Sequence, residues 1–202
     1  MTDRDRPRRR YDSPLRRQRA EETRERIVAI GAELLHGFPI WNWGALTARA
    51  VAERAGVNER TVYRYFPSER ALRDAVLARL EQEAGVDLDG LTLEGVQDVA
   101  ARILEYASTF PIEPRTPRDP TVAAANARQR AALVAAVRRS ATRWPPVDRT
   151  IAAAMLDVLW SPVSFERMVT DWELDPDEAI VGSTWTIGLI QRALEDGPRP
   201  HR

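Results

Sequence analysis

Residues 55–68, "AGVNERTVYRYFPS", place a glycine turn, a helix opener, two tyrosines and two arginines within fourteen positions. Gly56 allows a tight turn that residues carrying a Cβ resist. Asn58 then suits an N-cap, because its side-chain oxygen can accept from a first-turn N–H. On a helix that starts there, Val62 and Phe66 lie four apart and face a core together with Val57. The pairs Glu59–Tyr63 and Arg60–Arg64 form two stripes that point away from it. This outward face is polar, aromatic and long-reaching, and helix N-termini favour phosphate through free N–H groups and the positive dipole end.

The flanking sequence supplies the rest of a small helical unit. Thr47 is a good N-cap for a short helix whose inward face is Val51, Ala52 and Ala55, ended by Gly56. Ser68 caps a further helix in which Leu72, Ala75, Val76 and Leu80 repeat helically. Upstream, helical periodicity begins near residue 20, with Ile27, Ile30, Leu34 and Leu35 on one stripe. That helix ends near His36-Gly37, with Pro39 as a stop, and the loop "GFPIWNWGAL" follows. Two short helices joined by a glycine turn inside a three-to-four-helix unit suggest a helix-turn-helix. Spacing alone leaves a second reading open, a solvated helix with tyrosines half-packed on neighbours.

Residues 1–19 are Arg-rich and proline-interrupted, and they bury too little apolar surface to offset ordering entropy. They are expected to be a disordered arm. Residues 20–84 form the helix-turn-helix domain and 85–202 a second helical domain, with "GVDLDG" (85–90) as the hinge. One helix in that second domain carries Leu93, Val96, Val99, Ala100, Ile103 and Phe110. Another runs from Val122 to Ala141, and a third starts near Asp148 and is kinked at Ser161-Pro162. The last opens at Asp175, with Pro176 at N1 and Glu178 at N3. No two-residue alternation of β-formers persists, so the expected fold is all-α without internal repeats.

Composition narrows the function classes. The 202 residues hold no cysteine and two histidines, His36 and His201, which makes thiolate zinc sites, metal clusters and histidine triads poor candidates. No Gly-rich phosphate loop, membrane-length apolar run or signal-peptide h-region is present. The expectation is a cytoplasmic non-enzyme with no cofactor. All 30 basic residues are Arg, and residues 1–84 carry 17 of them against 13 acids. A basic N-terminal half in a chain of zero net charge points toward a polyanion.

Residues 46–77, "LTARAVAERAGVNERTVYRYFPSERALRDAVL", closely resemble the DNA-binding domain of the tetracycline-repressor (TetR) family of bacterial regulators. That family's pattern is a Thr-capped helix, an "IAxxAGV" turn, a "TLYxHF" recognition helix and a "SKExL" helix. Thr47, Val51-Ala52, Ala55-Gly56-Val57, Thr61-Val62-Tyr63, Phe66, Ser68 and Leu72 match it. Tyr65 stands where the family has His, and Glu69 where Lys is usual, with Arg70 placed to take over that contact. The loop carrying Trp41 and Trp43 is longer than usual, its rings expected to pack on the first or fourth helix.

The resemblance implies double-stranded DNA as partner and roles for matching positions. Thr47, Thr61, Tyr63 and Tyr65 are expected phosphate contacts, with Arg49, Asn58 and Arg70 on the same surface. Arg60 is the first choice for base readout, since a guanidinium pairs bidentately with guanine. Arg64 is a second reader or a phosphate clamp. Glu59 either accepts from cytosine N4 or only favours the helix N-terminus.

The C-terminal half resembles the family more loosely and implies effector binding and homodimerisation. Tyr106, Asn126, Trp144, Met155 and Trp160 are the candidate liners of an effector cavity, against the alternative of ordinary core side chains. No buried charge is evident there, which points to a neutral or apolar small molecule. Met155, Leu159, Phe165, Met168, Trp172, Trp185 and Leu189 are the candidate dimer surface. A ligand-releasable repressor on a palindromic operator is the resulting expectation; an all-α interaction module without DNA binding is the rival, supported by Glu69 and the zero net charge.

Overall fold

The computed structural model describes residues 14–39, 42–113, 119–197 and 199–200. Expectations for residues 1–13, Trp41 and His201 fall outside them. Among the described residues every regular element is helical. The chain divides into two compact units, Met1–Pro114 and Arg115–Arg202.

In the first unit α1 (Pro14–Leu35) packs on α2 (Ala48–Ala55) and α4 (Glu69–Glu83), while α3 (Glu59–Tyr65) packs on α2. Ile27, Leu46, Val51, Val62, Leu72 and Val76 are fully buried at its centre. Each such side chain contributes about 1.5–3 kcal/mol by leaving water. The α1–α4 crossing is close because residue 31 is glycine: a Cβ there would stand 2.6 Å from Val76 Cγ2. Trp43, in a short 3₁₀ turn (Trp43–Ala45), packs against this core.

α5 (Val96–Ala107) also belongs to the first unit. Phe110, just beyond its end, is buried with Ile27 and Leu35, and Tyr106 packs beside it. Aromatic contacts therefore carry this compact unit past the glycine-marked segment 85–90, where Gly85 and Gly90 have φ of 64° and 75°.

In the second unit α6 (Pro120–Ser140), α7 (Pro146–Leu159), α8 (Pro162–Thr170) and α9 (Pro176–Asp196) surround a smaller core. Leu133, Val137, Ala152, Ala153, Leu156 and Leu194 form it, with Trp144, Ile187 and Ile190 packed alongside. α9 opens with a full capping box: Asp175 accepts from the Asp177 N–H and Glu178 accepts from the Asp175 N–H at 3.0 Å.

Three local expectations change. α1 begins at Pro14, not near residue 20, so Arg16, Arg17 and Arg19 lie on a helix. Proline is favoured at a first helical position, where its missing N–H costs nothing. The expected kink at Ser161-Pro162 is a break between two helices, because Ser161 caps α8 through the Ser164 N–H at 3.2 Å and Pro162 starts it. An acidic side chain is buried after all: Asp148, in the first turn of α7, is 9% exposed. Its position suits the positive end of that helix.

Candidate nucleic-acid interface

The helix-turn-helix is set by three side-chain caps. Thr47 Oγ1 accepts from the Ala50 N–H at 3.1 Å, Asn58 Oδ1 from the Arg60 N–H at 2.8 Å, and Ser68 Oγ from the Ala71 N–H at 3.1 Å. Between the first two, Gly56 adopts φ 65° and ψ 34°, the left-handed conformation that ends α2. Nothing lies within 4 Å of where its Cβ would be, so the backbone conformation alone selects glycine.

Val62 and Phe66 are buried and clamp α3 to the core. The turn of the helix then leaves Glu59, Arg60, Tyr63 and Arg64 exposed, with Thr61 half-buried between them. Asn58, Arg60, Thr61, Tyr63 and Arg64 line one open concavity of about 510 Å³. Five of the ten residues singled out for DNA contact thus share a single surface hollow. Glu59 is exposed at the start of the same helix.

Tyr65 is half-buried against the core, and its hydroxyl is held from outside. Arg64 lies over the Tyr65 ring, 5.0 Å from its centroid, and its Nη2 donates to the Tyr65 hydroxyl at 3.4 Å. Arg24 of α1 lies over Phe66 at 5.3 Å. Arg49 is exposed on α2, and Arg70 is almost fully exposed on α4, beside Asp74 at 3.9 Å.

Glu69 has a structural engagement that sequence did not reveal. Its Oε1 accepts from the Ala48 N–H at 3.4 Å, and its Oε2 pairs with Arg73 Nη2 at 3.5 Å. Arg73 Nε in turn donates to the Leu46 carbonyl at 3.3 Å. The carboxylate therefore covers a first-turn N–H of α2, one of the groups that would otherwise face an anion.

Two arginines of the expected Arg-rich arm, residues 1–19, also reach this surface, from a helix. Arg16 and Arg19 of α1 line a groove of about 540 Å³ with Ala20, Thr23, Arg64 and Tyr65. A helix start placed at Pro14 would have revealed them, since they then fall on the stripe that carries Ile27.

A turn–glycine–helix unit with a capped, core-anchored second helix and an exposed Arg/Thr/Tyr face defines a helix-turn-helix DNA-binding protein. Residues 42–76 match the model of the bacterial regulatory proteins, tetR family. The match covers the helix-turn-helix unit, and it is there that the chain is similar to that family of DNA-binding regulators. Among curated proteins it is similar to the nucleoid occlusion factor SlmA of Mannheimia succiniciproducens, 26% identical over 97 residues, 45% of this chain and 44% of that protein. The nucleoid occlusion factor SlmA of Haemophilus influenzae (strain PittGG) is 23% identical over 103 residues, 48% and 46% of the two chains. The chain thus spans less than half the length of the curated relatives it matches. No solved structure matches it at a comparable level.

The C-terminal candidates do not gather in one place. Tyr106 lies in the first unit, bonded to Glu83 and His36. Trp144 and Met155 share a cleft of about 280 Å³ with Ile151, Ala152, Ile190 and Arg199, apolar apart from that arginine. Trp160 lines another, of about 400 Å³, with Leu159, Phe165, Ile180 and Ile187. Asn126 is half-buried on α6 and lines neither cleft. Of the dimer candidates, Met155, Phe165, Trp172, Trp185 and Leu189 are exposed, and Leu159 and Met168 are half-buried. Among the described residues no helix is long and apolar enough to cross a membrane.

Proposed function

We propose that this chain is a ligand-releasable transcriptional repressor that binds a palindromic operator as a homodimer. The observation that carries the reading is the exposed Arg60–Thr61–Tyr63–Arg64 face, held outward by the buried Val62 and Phe66. Arg60 reads guanine O6 and N7 in the major groove. Thr47, Thr61, Tyr63 and Tyr65 hold phosphates, which set register without carrying sequence. The hydroxyl chemistry supports this, since Thr47 accepts from Ala50 and Tyr65 accepts from Arg64, leaving each O–H proton free to donate. Arg49, Asn58 and Arg70 complete the contact surface, and Arg64 serves at its edge. Glu59, at the first position of α3, favours the helix dipole.

Homodimerisation is supported by apolar surface beyond what one small core uses. Trp172 and Trp185 are 71% and 65% exposed, with Phe165, Ile180 and Leu189 also open to solvent. Large aromatic and aliphatic side chains left open to solvent on one small unit are what an interaction surface would cover. Two reading heads joined in this way fit a two-fold operator. The effector is a neutral or apolar small molecule; with Asp148 buried, what supports this is the Trp144–Met155 cleft, whose lining is apolar apart from Arg199. It releases DNA by binding better to a conformer whose reading heads are mis-spaced, and the loss of operator affinity equals that differential affinity. The chain acts in the cytoplasm on nucleoid DNA, without enzymatic activity of its own.

The test is a gel shift with the duplex upstream of the chain's own gene, at low salt and with a folded dimer verified by sedimentation. A discrete, competitor-resistant complex is expected. Absence of any complex sinks the repressor reading and favours the interaction module. The curated relatives are named for nucleoid occlusion, and a complex formed at many chromosomal sites, none near its own gene, would favour such a role instead.

A further inference from the structure

We propose that Arg16 and Arg19, on the first turns of α1, join Arg64 and Tyr65 in a groove that grips the DNA backbone beside the reading face of α3. The proposal rests on the DNA-binding reading above and adds a second element to that surface.

Arg16, Arg19, Ala20, Thr23, Ile27 and Gly31 occupy one stripe of α1. From Ile27 onward that stripe is buried in the core. Two turns earlier no core lies beneath it, and the stripe meets the C-terminal end of α3 instead. The side chains there are arginines, not the apolar residues that continue a core face.

The groove assembles three guanidiniums, from Arg16, Arg19 and Arg64, and no carboxylate lines it. Among the described residues none of the three forms an ion pair. Two of the acids nearby in sequence have other partners: Glu22 accepts from Gln18 at 3.0 Å, and Glu25 pairs with Arg24 at 3.1 Å. Like charges gathered without counter-charge are unfavourable until an anion enters, which is what a backbone phosphate supplies.

Arg64 lines both this groove and the concavity of Asn58, Arg60, Thr61 and Tyr63. Its stacking on Tyr65 holds it on the shared edge. A duplex whose bases face Arg60 therefore has its flanking phosphates beside Arg16 and Arg19. Ala20 and Thr23 are small and leave room for the phosphate to approach.

The experiment measures affinity against salt by fluorescence anisotropy, using a mixed-sequence duplex and the wild-type chain, R16Q/R19Q, R16K/R19K and R60A. Circular dichroism confirms that each variant is folded. Removing two phosphate contacts lowers the slope of log K on log salt by roughly 1.8 per bound chain. R16Q/R19Q is expected to show that drop, while R16K/R19K keeps the wild-type slope because its charge is retained. Preference among duplex sequences should be unchanged in R16Q/R19Q and relaxed in R60A. A wild-type slope in R16Q/R19Q overturns the proposal while leaving the DNA-binding reading intact. No duplex binding by the wild type at low salt overturns both. Inorganic phosphate is the last probe: if it raises the melting temperature of the wild type but not of R16Q/R19Q, with equal DNA slopes, the groove is a free-anion site and the proposal fails.

Discussion

Tyr106 donates its hydroxyl proton to the Glu83 carboxylate across 2.6 Å, and this bond joins α5 to the end of α4. Because that proton points at Glu83, His36 Nε2, 3.2 Å from the same oxygen, is the donor toward Tyr106. Glu83 also accepts from Arg79 Nε at 2.6 Å, and the His36 ring stacks on Phe110 at 4.3 Å. The Tyr106 bond, then Arg79, hold the Glu83 carboxyl below the usual carboxylate range. Burial, then the Glu83 bond, push the Tyr106 hydroxyl well above its ordinary value.

Tyr106→Phe removes that link. The Glu83 side chain is 32% exposed, so solvent screening limits the loss to about 1 kcal/mol, or roughly 2–4 °C in melting temperature. The sign with pH is fixed by the depressed Glu83 value. Its contribution is complete above the ordinary carboxylate range and disappears as pH falls through the lower folded value. Thermal melts of wild type and Y106F should differ at neutral pH and converge in acid; a gap that persists in acid counts against this account.

Arg60 and Tyr63 can be changed without touching the core, since both side chains face the open hollow on α3. Arg60→Ala should cost about 1–3 kcal/mol of base discrimination, with the melting temperature unchanged. Arg60→Ala with Tyr63→Ala should abolish specific binding in an anisotropy titration. Normal operator binding by the double variant would refute the reading-head assignment.

Glu69 occupies the start of α2 through the Ala48 N–H and its pair with Arg73. Glu69→Lys exchanges a repelling charge for an attracting one at that helix end. Tighter DNA binding is expected, with a salt slope steeper by about 0.9 per chain. The two lost contacts are half-exposed, so stability should fall by no more than about 1 kcal/mol. Weaker DNA binding by a folded E69K chain would place this position away from phosphate.

Trp185 is mostly exposed on α9, and Trp172 likewise just after α8. Placing charge there, as in W172E/W185E, should give a monomer in sedimentation velocity while leaving the α1–α4 unit folded. Operator affinity should fall steeply, because one reading head holds half the contacts. A W172E/W185E chain that still sediments as a dimer would move the interface elsewhere.

Local chemistry made the N-terminal unit legible from the chain alone. Thr47, Asn58 and Ser68 cap as their side chains suggest, Gly56 takes the left-handed turn, and Val62 and Phe66 are buried. Each of these depends on neighbours within a few residues, so periodicity and cap chemistry are enough. The capping box at Asp175–Glu178 was readable for the same reason.

Other features depended on groups distant in sequence. Glu69 and Ala48 are 21 positions apart, and Tyr106 and Glu83 are 23 apart, so no local pattern signals either bond. The assignment of α5 to the first compact unit likewise rests on Phe110 reaching the Ile27 core. In "AGVNERTVYRYFPS" the chain by itself determined that α3 is a capped helix with an Arg/Tyr face. Only the tertiary structure decided that Arg64 stacks on Tyr65 and that Arg16 and Arg19 stand beside it. Helical phase is a local property of the backbone, whereas the neighbour a side chain meets depends on how helices cross, and that is set by the packing of the whole core.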